Sequence, residues 1–205
     1  MTPMLDVDGF ILVGGRSSRM GKDKSRLMFG DLSSVGLIAA SLQTVTTTVK
    51  TVGPPVSTFE GLANIADTRD KWGPLAGIEA ALSNSKSEHC LIVACDLPFV
   101  TAELFAKLIK LADRGEAIVP LQGDGRPQPL CALYRRSPCL AAAQRSIAVQ
   151  EHSPRALLDQ VDARFVPFTE LSDLKGSEYF FFNVNTPENY AQARVIFSVV
   201  KRSGF

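Results

Sequence analysis

Short, continuous apolar runs alternate with longer segments of helical period, and this alternation restricts the fold more than any other feature. Residues 8–13, 47–52 and 90–95 are typical of strands buried on both faces of a sheet. Residues 34–45 and 101–112 instead carry apolar side chains at helical spacing. This pattern is typical of a mostly parallel sheet with helices on both faces. We therefore predict an α/β fold, organised as one three-layer domain.

The remaining predicted elements are shorter and follow the same alternation. We predict strands at 61–65, 117–120, 130–134, near 165 and at 179–182, and helices at 75–82, 138–147, 154–160 and from 187 onward. Thr101 and Thr186 are predicted N-caps, the second followed by a proline at the first helical position.

Composition excludes several classes of protein. The 22 basic and 21 acidic residues give a formal net charge of +1, so no overall charge favours binding to nucleic acid or to a membrane surface. No apolar run reaches the ~18 residues of a membrane-spanning helix, and the N-terminus lacks the features of a secretory signal. The four cysteines form no C-x-x-C pair, which makes a zinc site improbable. We expect a cytoplasmic protein with no nucleic-acid or membrane partner.

The loop after the first strand concentrates positive charge. Residues 14–26 contain five basic side chains and one acidic one in an otherwise nearly neutral chain. The Gly14-Gly15 pair lets the backbone approach a phosphate closely. A Walker A loop is excluded because five residues, not four, separate Gly15 from Gly21, and no Ser or Thr follows Lys22. The loop is typical of a polyphosphate site; the alternative is a solvated basic loop.

Five motifs spread over most of the chain resemble those of one family. In chain order they are G-G-x-S-x-R-M-G-x-D-K from Gly14, G-P-L-A-G-I from Gly73, C-D-L-P-F from Cys95, R-P-Q-P-L from Arg126 and F-N-V-N-T-P-E from Phe182. Together they resemble the MobA family, the molybdenum cofactor guanylyltransferases. The resemblance implies a Rossmann-like nucleotidyltransferase fold over residues 1–205, with a nucleotide-binding part at about 1–100 and an acceptor-binding part at about 101–190.

The resemblance implies a specific reaction. GMP would move from GTP, with Mg²⁺ as cofactor, onto the terminal phosphate of molybdopterin, and pyrophosphate would leave. A phosphate nucleophile is already anionic at neutral pH, so positioning and charge neutralisation suffice and no strong base is needed. The only two histidines, His89 and His152, lie outside the motifs, which suits such a site. The resemblance also implies transient contacts with proteins of cofactor biosynthesis and with molybdoenzymes.

On the nucleotide side, the resemblance assigns roles to the first strand and its loop. It implies that Leu12, Gly14 and Gly15 line GTP, that Lys24 contacts its phosphates, and that Arg19 reaches the β- or γ-phosphate. Lys24 and Arg19 are thus candidate catalytic residues.

Two aspartates follow predicted strands. Asp96 comes at the end of the 90–95 strand, where α/β sheets place ligand residues, and its carboxylate oxygen suits Mg²⁺. We predict it as the catalytic metal ligand; the alternative is a helix-capping or turn aspartate. Asp67 is a weaker candidate for contact with guanine or ribose, and could equally be a turn aspartate.

Asn183 and Asn185 alternate with Val184, so in an extended strand end both amides would point to one side. By resemblance we predict that they contact molybdopterin; the alternative is that they cap the following helix. Arg126, Gln128 and Arg155 are weaker acceptor-side candidates.

Two segments depart from the family pattern. Residues 52–55 lack the asparagine that relatives can carry near the base, which leaves guanine preference open, and residues 29–34 lack the usual Lys-Pro-Leu element. The alternatives are a molybdopterin cytidylyltransferase, another NTP transferase of this fold, or a catalytically silent nucleotide-binding protein.

Overall fold

The computed structural model describes residues 5–14, 23–54, 59, 61–67, 69 and 72–202. In chain order its strands and α-helices are β1 (Val7–Leu12), β2 (Met28–Phe29), β3 (Leu32–Ser33), α1 (Ser34–Gln43), β4 (Thr48–Gly53), β5 (Ala63–Ala66), α2 (Pro74–Asn84), β6 (His89–Ala94), α3 (Ala102–Lys110), β7 (Ala117–Pro120), β8 (Cys131–Arg135), α4 (Arg136–Ala148), α5 (Pro154–Leu158), β9 (Ala163–Val166) and α6 (Pro187–Arg202). The predicted α/β class is confirmed.

Seven of these strands form one sheet in the order β5-β4-β1-β6-β8-β7-β9. The first four are mutually parallel, whereas β8 runs antiparallel to β6 and β7. The carboxyl ends of β1, β4, β5 and β6 therefore meet at one edge of the sheet, which we call the carboxyl edge. The backbone N–H of Ala94 donates to Leu130 O at 2.8 Å, which brings the loop between β7 and β8 to the same edge.

Separate apolar cores cover the two faces of the sheet. Leu91 and Val93 of β6 face the core that contains the apolar stripes of α1 and α3. Cys90 and Ile92 face the opposite core, which contains those of α2 and α4. Side chains of a strand alternate between faces, so a strand buried on both sides must be apolar throughout. This arrangement confirms the predicted three layers.

One predicted strand is wrong. Residues 179–182 do not pair with the sheet; Ser177–Tyr179 is a 3₁₀ helix, and a turn follows in which Phe182 N donates to Tyr179 O at 3.0 Å. Of the aromatic side chains in this segment, Phe180 is buried in the core, and Phe182 is half-buried and packs near Phe99. Aromatic residues favour strands only through the packing surface that a sheet offers, and here helices and loops offer it instead.

The segment that departed from the family pattern forms a small hairpin. β2 and β3 pair antiparallel around a turn at Gly30, whose φ of +63° is left-handed. Ser33 then caps α1 by accepting a hydrogen bond from Gly36 N at 3.0 Å. Phe29 is buried edge-on against Phe99 and Tyr190. The hairpin thus attaches the loop after β1 to α6.

Both predicted threonine caps are confirmed. Thr101 Oγ1 accepts from Leu104 N at 3.2 Å, and Thr186 Oγ1 accepts from Asn189 N at 3.2 Å.

Over the described ranges, none of the helices combines the length and the apolar character that crossing a membrane would require.

Candidate active site

Three polar side chains from distant parts of the sequence lie together at the carboxyl edge. Asp96 follows β6, Lys24 begins a 3₁₀ helix at Lys24–Arg26, and Asn185 precedes α6. The Lys24 ammonium donates a hydrogen bond to Asn185 Oδ1. Burial raises the pKa of the Asp96 carboxyl, and the Lys24 ammonium opposes that rise, so the charges of the two side chains interact. The N-terminal loop, the central strand and the last connection thus contribute to one site.

Asp96 is a carboxylate with little compensation for its burial. It is half-buried, and burial raises its pKa above the ordinary value although the Lys24 ammonium opposes that effect. In the described residues its carboxylate accepts a hydrogen bond only from its own backbone N–H. It does not cap α3, because Thr101 does so. A nearby cation would therefore stabilise its charged form.

Lys24 is held in place by its own short helix. Asp23 caps that helix, accepting from Ser25 N at 3.0 Å, and its carboxylate lies 3.5 Å from the Arg26 Nε. Because Asp23 supports the backbone, the Lys24 side chain points away toward Asp96 and Asn185. The local sequence therefore places one compact cation beside the central carboxylate.

The segment around Val184 is fixed by the backbone, although it does not form the strand end predicted for it. Val184 is buried, and its N–H donates to Asp96 O at 2.9 Å. The two flanking asparagines then have different partners: Asn185 binds Lys24, whereas Asn183 Nδ2 donates to Phe181 O at 3.1 Å. Neither caps α6, since Thr186 does. Only Asn185 joins the Asp96–Lys24 pair.

The first strand ends in close packing. Leu12 packs on Gly77 of α2, where a Cβ would meet its Cδ2 at 3.3 Å. Gly14 has a φ of +118°, and a Cβ there would meet Pro54 Cδ at 2.9 Å. The predicted nucleotide contacts Gly15 and Arg19 lie outside the described residues.

Close packing also explains the departure at residues 52–55. A Cβ on Gly53 would lie 1.8 Å from Val13 O, so β4 can approach β1 here only with glycine. Glycine at position 53 thus allows close backbone contact between these neighbouring strands.

Asp67 also lies at the carboxyl edge. Its N–H donates to Gly53 O at 2.9 Å, which continues the β4–β5 pairing. Its Oδ1 accepts from Arg69 N at 3.0 Å, so the turn role considered for it is present. Its second carboxylate oxygen makes no hydrogen bond within the described ranges.

The acceptor-side candidates are spread along this edge. Gln128 is buried in the loop between β7 and β8, and its N–H donates to Pro120 O at 2.9 Å. Arg126 Nε binds Asp124 at 2.6 Å. Arg155 is exposed at the start of α5, 4.0 Å from Asp159. None of the three contacts the Asp96–Lys24 pair.

Sequence reasoning missed an aromatic stack beside Asp67. The rings of Trp72 and His152 lie 4.6 Å apart at 26°, with His152 Nδ1 at 3.2 Å from Trp72 O. The Arg69 guanidinium lies 5.9 Å from the Trp72 ring. No local sequence signal marks a pair that is 80 residues apart.

A buried thiol, Cys95, directly precedes Asp96. Burial raises the pKa of Cys95 to about 12, and its sulfur receives a hydrogen bond from Gly14 N. This thiol stays protonated and unreactive, so it supports the loop rather than reacting.

The donor set fits a magnesium ion that is shared with a substrate. Within the part of the chain that the structure describes, no three His, Cys, Asp or Glu side chains form a metal cluster. Mg²⁺ commonly needs only one or two carboxylates, since phosphate oxygens and water complete its coordination. Asp96, half-buried and only partly compensated by Lys24, meets that requirement.

Comparison with known proteins identifies the family. Residues 9–164 match the model of the MobA-like NTP transferase domain. The chain belongs to this family. A probable molybdenum cofactor guanylyltransferase of Pelotomaculum thermopropionicum is 34% identical over 195 residues, which cover 94% of each chain.

Solved structures share the fold. Molybdopterin-guanine dinucleotide biosynthesis protein A of Archaeoglobus fulgidus matches with a TM-score of 0.78 and 25% identity, covering 94% of this chain and 99% of that one. A 2-C-methyl-D-erythritol 4-phosphate cytidylyltransferase of Thermus thermophilus matches with a TM-score of 0.70 at 16% identity, covering 94% and 98%. The second likeness is one of fold alone. As a family, these proteins transfer nucleotides from NTPs, and the chain is an enzyme of this type.

Proposed function

We propose that this protein is a molybdenum cofactor guanylyltransferase that transfers GMP from GTP to the terminal phosphate of molybdopterin. The observation that carries the proposal is the juxtaposition of Asp96, Lys24 and Asn185 at the carboxyl edge. It supplies a carboxylate for a metal, a cation for phosphates and an amide for a second substrate. The names of the relatives support the choice of GTP and molybdopterin.

The reaction needs charge neutralisation more than proton transfer. An oxygen of the acceptor's terminal phosphate attacks the α-phosphorus of GTP, the bond from that phosphorus to the bridging oxygen breaks, and pyrophosphate leaves with the bond's electrons. The nucleophile carries no proton that must be removed at neutral pH. Lys24 binds the phosphates and stabilises negative charge on them as the bond breaks. The group formed by Asp96, Lys24 and Asn185 offers no histidine as a base.

Asp96 would hold Mg²⁺ through its carboxylate. The ion, when bound, would supply Lewis-acid neutralisation of the phosphate oxygens. Asp96 also fixes the acceptor side, because its carbonyl anchors Val184. In this proposal residues 1–100 bind the nucleotide and residues 101–190 the acceptor, with Asp96 where the two parts meet.

We place the reaction in the cytoplasm. The four cysteines are all free and buried, a state that suits a reducing compartment.

A thermal-shift panel tests the choice of nucleotide. The protein is melted with GTP, CTP, ATP or UTP, each with and without Mg²⁺. A ligand at 100 times its Kd stabilises the fold by ~2.7 kcal/mol, a readily measured rise in Tm. We expect GTP with Mg²⁺ to give the largest rise. A selective rise with CTP would instead indicate a cytidylyltransferase, and no rise with any nucleotide would refute the proposal.

The transfer itself is tested with molybdopterin under anaerobic conditions. Release of pyrophosphate should require GTP, Mg²⁺ and molybdopterin together. Nucleotide binding without pyrophosphate release would indicate a silent binding protein.

A further inference from the structure

The contact between Lys24 and Asn185 joins the nucleotide side of the site to the acceptor side. The two residues are 161 positions apart, and the bond runs from the Lys24 ammonium to Asn185 Oδ1. Each belongs to a segment to which the proposed function gives a different substrate. The Lys24 ammonium and the Asn185 amide bind each other here, so each occupies the group that the proposed function assigns to a substrate of the other segment.

The two partners differ in mobility. The backbone at Asn185 is held on one side by buried Val184, bonded to Asp96 O, and on the other by the Thr186 cap of α6. Lys24 instead reaches Asn185 through a flexible four-carbon chain. When one side chain moves to release the bond, it will be that of Lys24.

The two acceptors that compete for the Lys24 ammonium, the Asn185 amide and a phosphate, also differ in strength. An amide oxygen is a neutral acceptor, whereas a phosphate oxygen bears charge and forms stronger, shorter bonds with an ammonium. A triphosphate can thus draw Lys24 away from Asn185. The Asp96 carboxylate lies near enough to this ammonium for the two charges to interact.

We propose that Asn185 is a positioning residue that holds Lys24 in the free enzyme and yields it to the triphosphate, which leaves the Asn185 amide free for the acceptor. The inference rests on the proposed function, because it assumes a triphosphate at Lys24 and a phosphorylated pterin at Asn185. It makes binding of the two substrates cooperative. By linkage, each substrate raises the affinity for the other by the same factor.

Two substitutions at Asn185 test whether it competes with the triphosphate for Lys24, because they should change the Kd for GTP in opposite directions. Asn185→Leu removes the acceptor that competes for Lys24, so the Kd for GTP with Mg²⁺ should fall roughly threefold to tenfold, the size of one net hydrogen bond. Asn185→Asp holds Lys24 through a charge, so the Kd should rise about tenfold. Isothermal titration measures both. A residue that merely supports the fold would weaken binding in both variants.

Matched controls separate competition from general charge effects. Asn189→Asp places the same new charge four residues further along the chain, in the first turn of α6, and should leave the Kd for GTP unchanged. Guanosine has no phosphate to recruit Lys24, so its Kd should be equal in wild type and Asn185→Leu. In a Lys24→Met background Asn185→Leu should no longer alter GTP binding, since the cycle then lacks the interacting pair.

The cooperativity is measured with molybdopterin under anaerobic conditions, with and without α,β-methylene GTP, which cannot transfer its nucleotide. In wild type the analogue should tighten molybdopterin binding roughly threefold or more, the size of one net hydrogen bond. In Asn185→Leu the ratio should be one.

The inference is overturned if Asn185→Leu binds GTP no more tightly than wild type, or if the Lys24→Met background leaves its effect intact. These results are distinguishable from failure of the proposed function, in which the wild-type protein itself binds no GTP. Tight GTP binding in wild type with an unchanged Asn185→Leu would leave the proposed function standing and refute only the inference.

Discussion

Two aspartates, Asp8 in β1 and Asp96 just after the neighbouring β6, lie at opposite ends of the sheet, and their pKa values are shifted in opposite directions. Asp8, near the start of β1, is 4% exposed. It accepts hydrogen bonds from Thr48 Oγ1 at 2.6 Å, Ser85 Oγ at 2.7 Å, Lys86 N at 3.2 Å and Ser87 N at 3.4 Å. Burial raises its pKa, but these bonds together outweigh burial and lower it. Among the described residues Asp96 has no comparable set of donors, and burial raises its pKa.

The difference separates a stabilising carboxylate from one available for binding. Donors within the protein satisfy the carboxylate of Asp8. Its hydrogen bonds therefore stabilise the fold by linking β1, β4 and the turn before β6. Lys24 only partly offsets the charge of Asp96. A bound cation would therefore stabilise the Asp96 carboxylate, as hydrogen-bond donors of the protein stabilise that of Asp8. The same substitution, aspartate to asparagine, should therefore have opposite consequences at the two ends.

The largest expected effect is on turnover. Asp96→Asn should lower kcat/KM for GMP transfer about a thousandfold, the range found when a group that stabilises transition-state charge is removed. Pyrophosphate release at varied Mg²⁺ measures it. Asp113→Asn, at an exposed residue that follows α3, is the matched control and should keep the wild-type rate. A near-normal rate in Asp96→Asn would end its assignment as the metal ligand.

Next in size is a loss of stability at the other end of the sheet. Both carboxylate oxygens of Asp8 accept hydrogen bonds, and Asp8→Asn replaces one of them by an NH₂ group that cannot accept. The substitution should lower the free energy of unfolding by about 3 kcal/mol. Urea denaturation measures it. Below the melting transition the variant should keep the wild-type kcat, because the site is at the far edge. A loss of kcat in a folded Asp8→Asn protein would show that the two ends are coupled.

A smaller effect is expected on the stability of Asp96→Asn. Removing a charge that burial disfavours should raise the free energy of unfolding by about 1 kcal/mol at pH 7. The gain should shrink as the pH falls through the raised pKa of Asp96, because the wild-type carboxyl is then protonated as well. A destabilised Asp96→Asn would mean that Asp96, like Asp8, mainly holds the fold.

The smallest expected effect is the pH dependence, in acid, of the stability that Asp8 contributes. Because the pKa of Asp8 is lowered on folding, its contribution is fully present above its unfolded value near ~4 and is lost as the pH falls through the folded value. The stability difference between wild type and Asp8→Asn should thus be constant above pH ~5 and shrink below pH ~4. A difference that persisted at low pH would point to packing rather than charge.

Prediction from the sequence succeeded where the signal was local. Continuous apolar runs identified β1, β4 and β6, and the hydroxyl before a helical stripe identified the caps at Thr101 and Thr186. The strand predicted at 179–182 failed because aromatic residues are buried equally well by helices and turns. The roles of Leu12, Gly14, Lys24, Asp67 and Asp96 stay predictions, although the structure places all five at the carboxyl edge or in the loop beside it.

Spacing and residue type by themselves determined the fold class and the position of Asp96 at the end of a buried strand, because both follow from the period of the backbone and the order of the chain. They could not pair Lys24 with Asn185, nor tell Asn185 from Asn183, since contacts across 161 residues depend on how the elements pack. Nor could they distinguish Asp8 from Asp96. The charge state of a buried carboxylate is set by the donors that the fold brings around it, and those donors are distant in sequence.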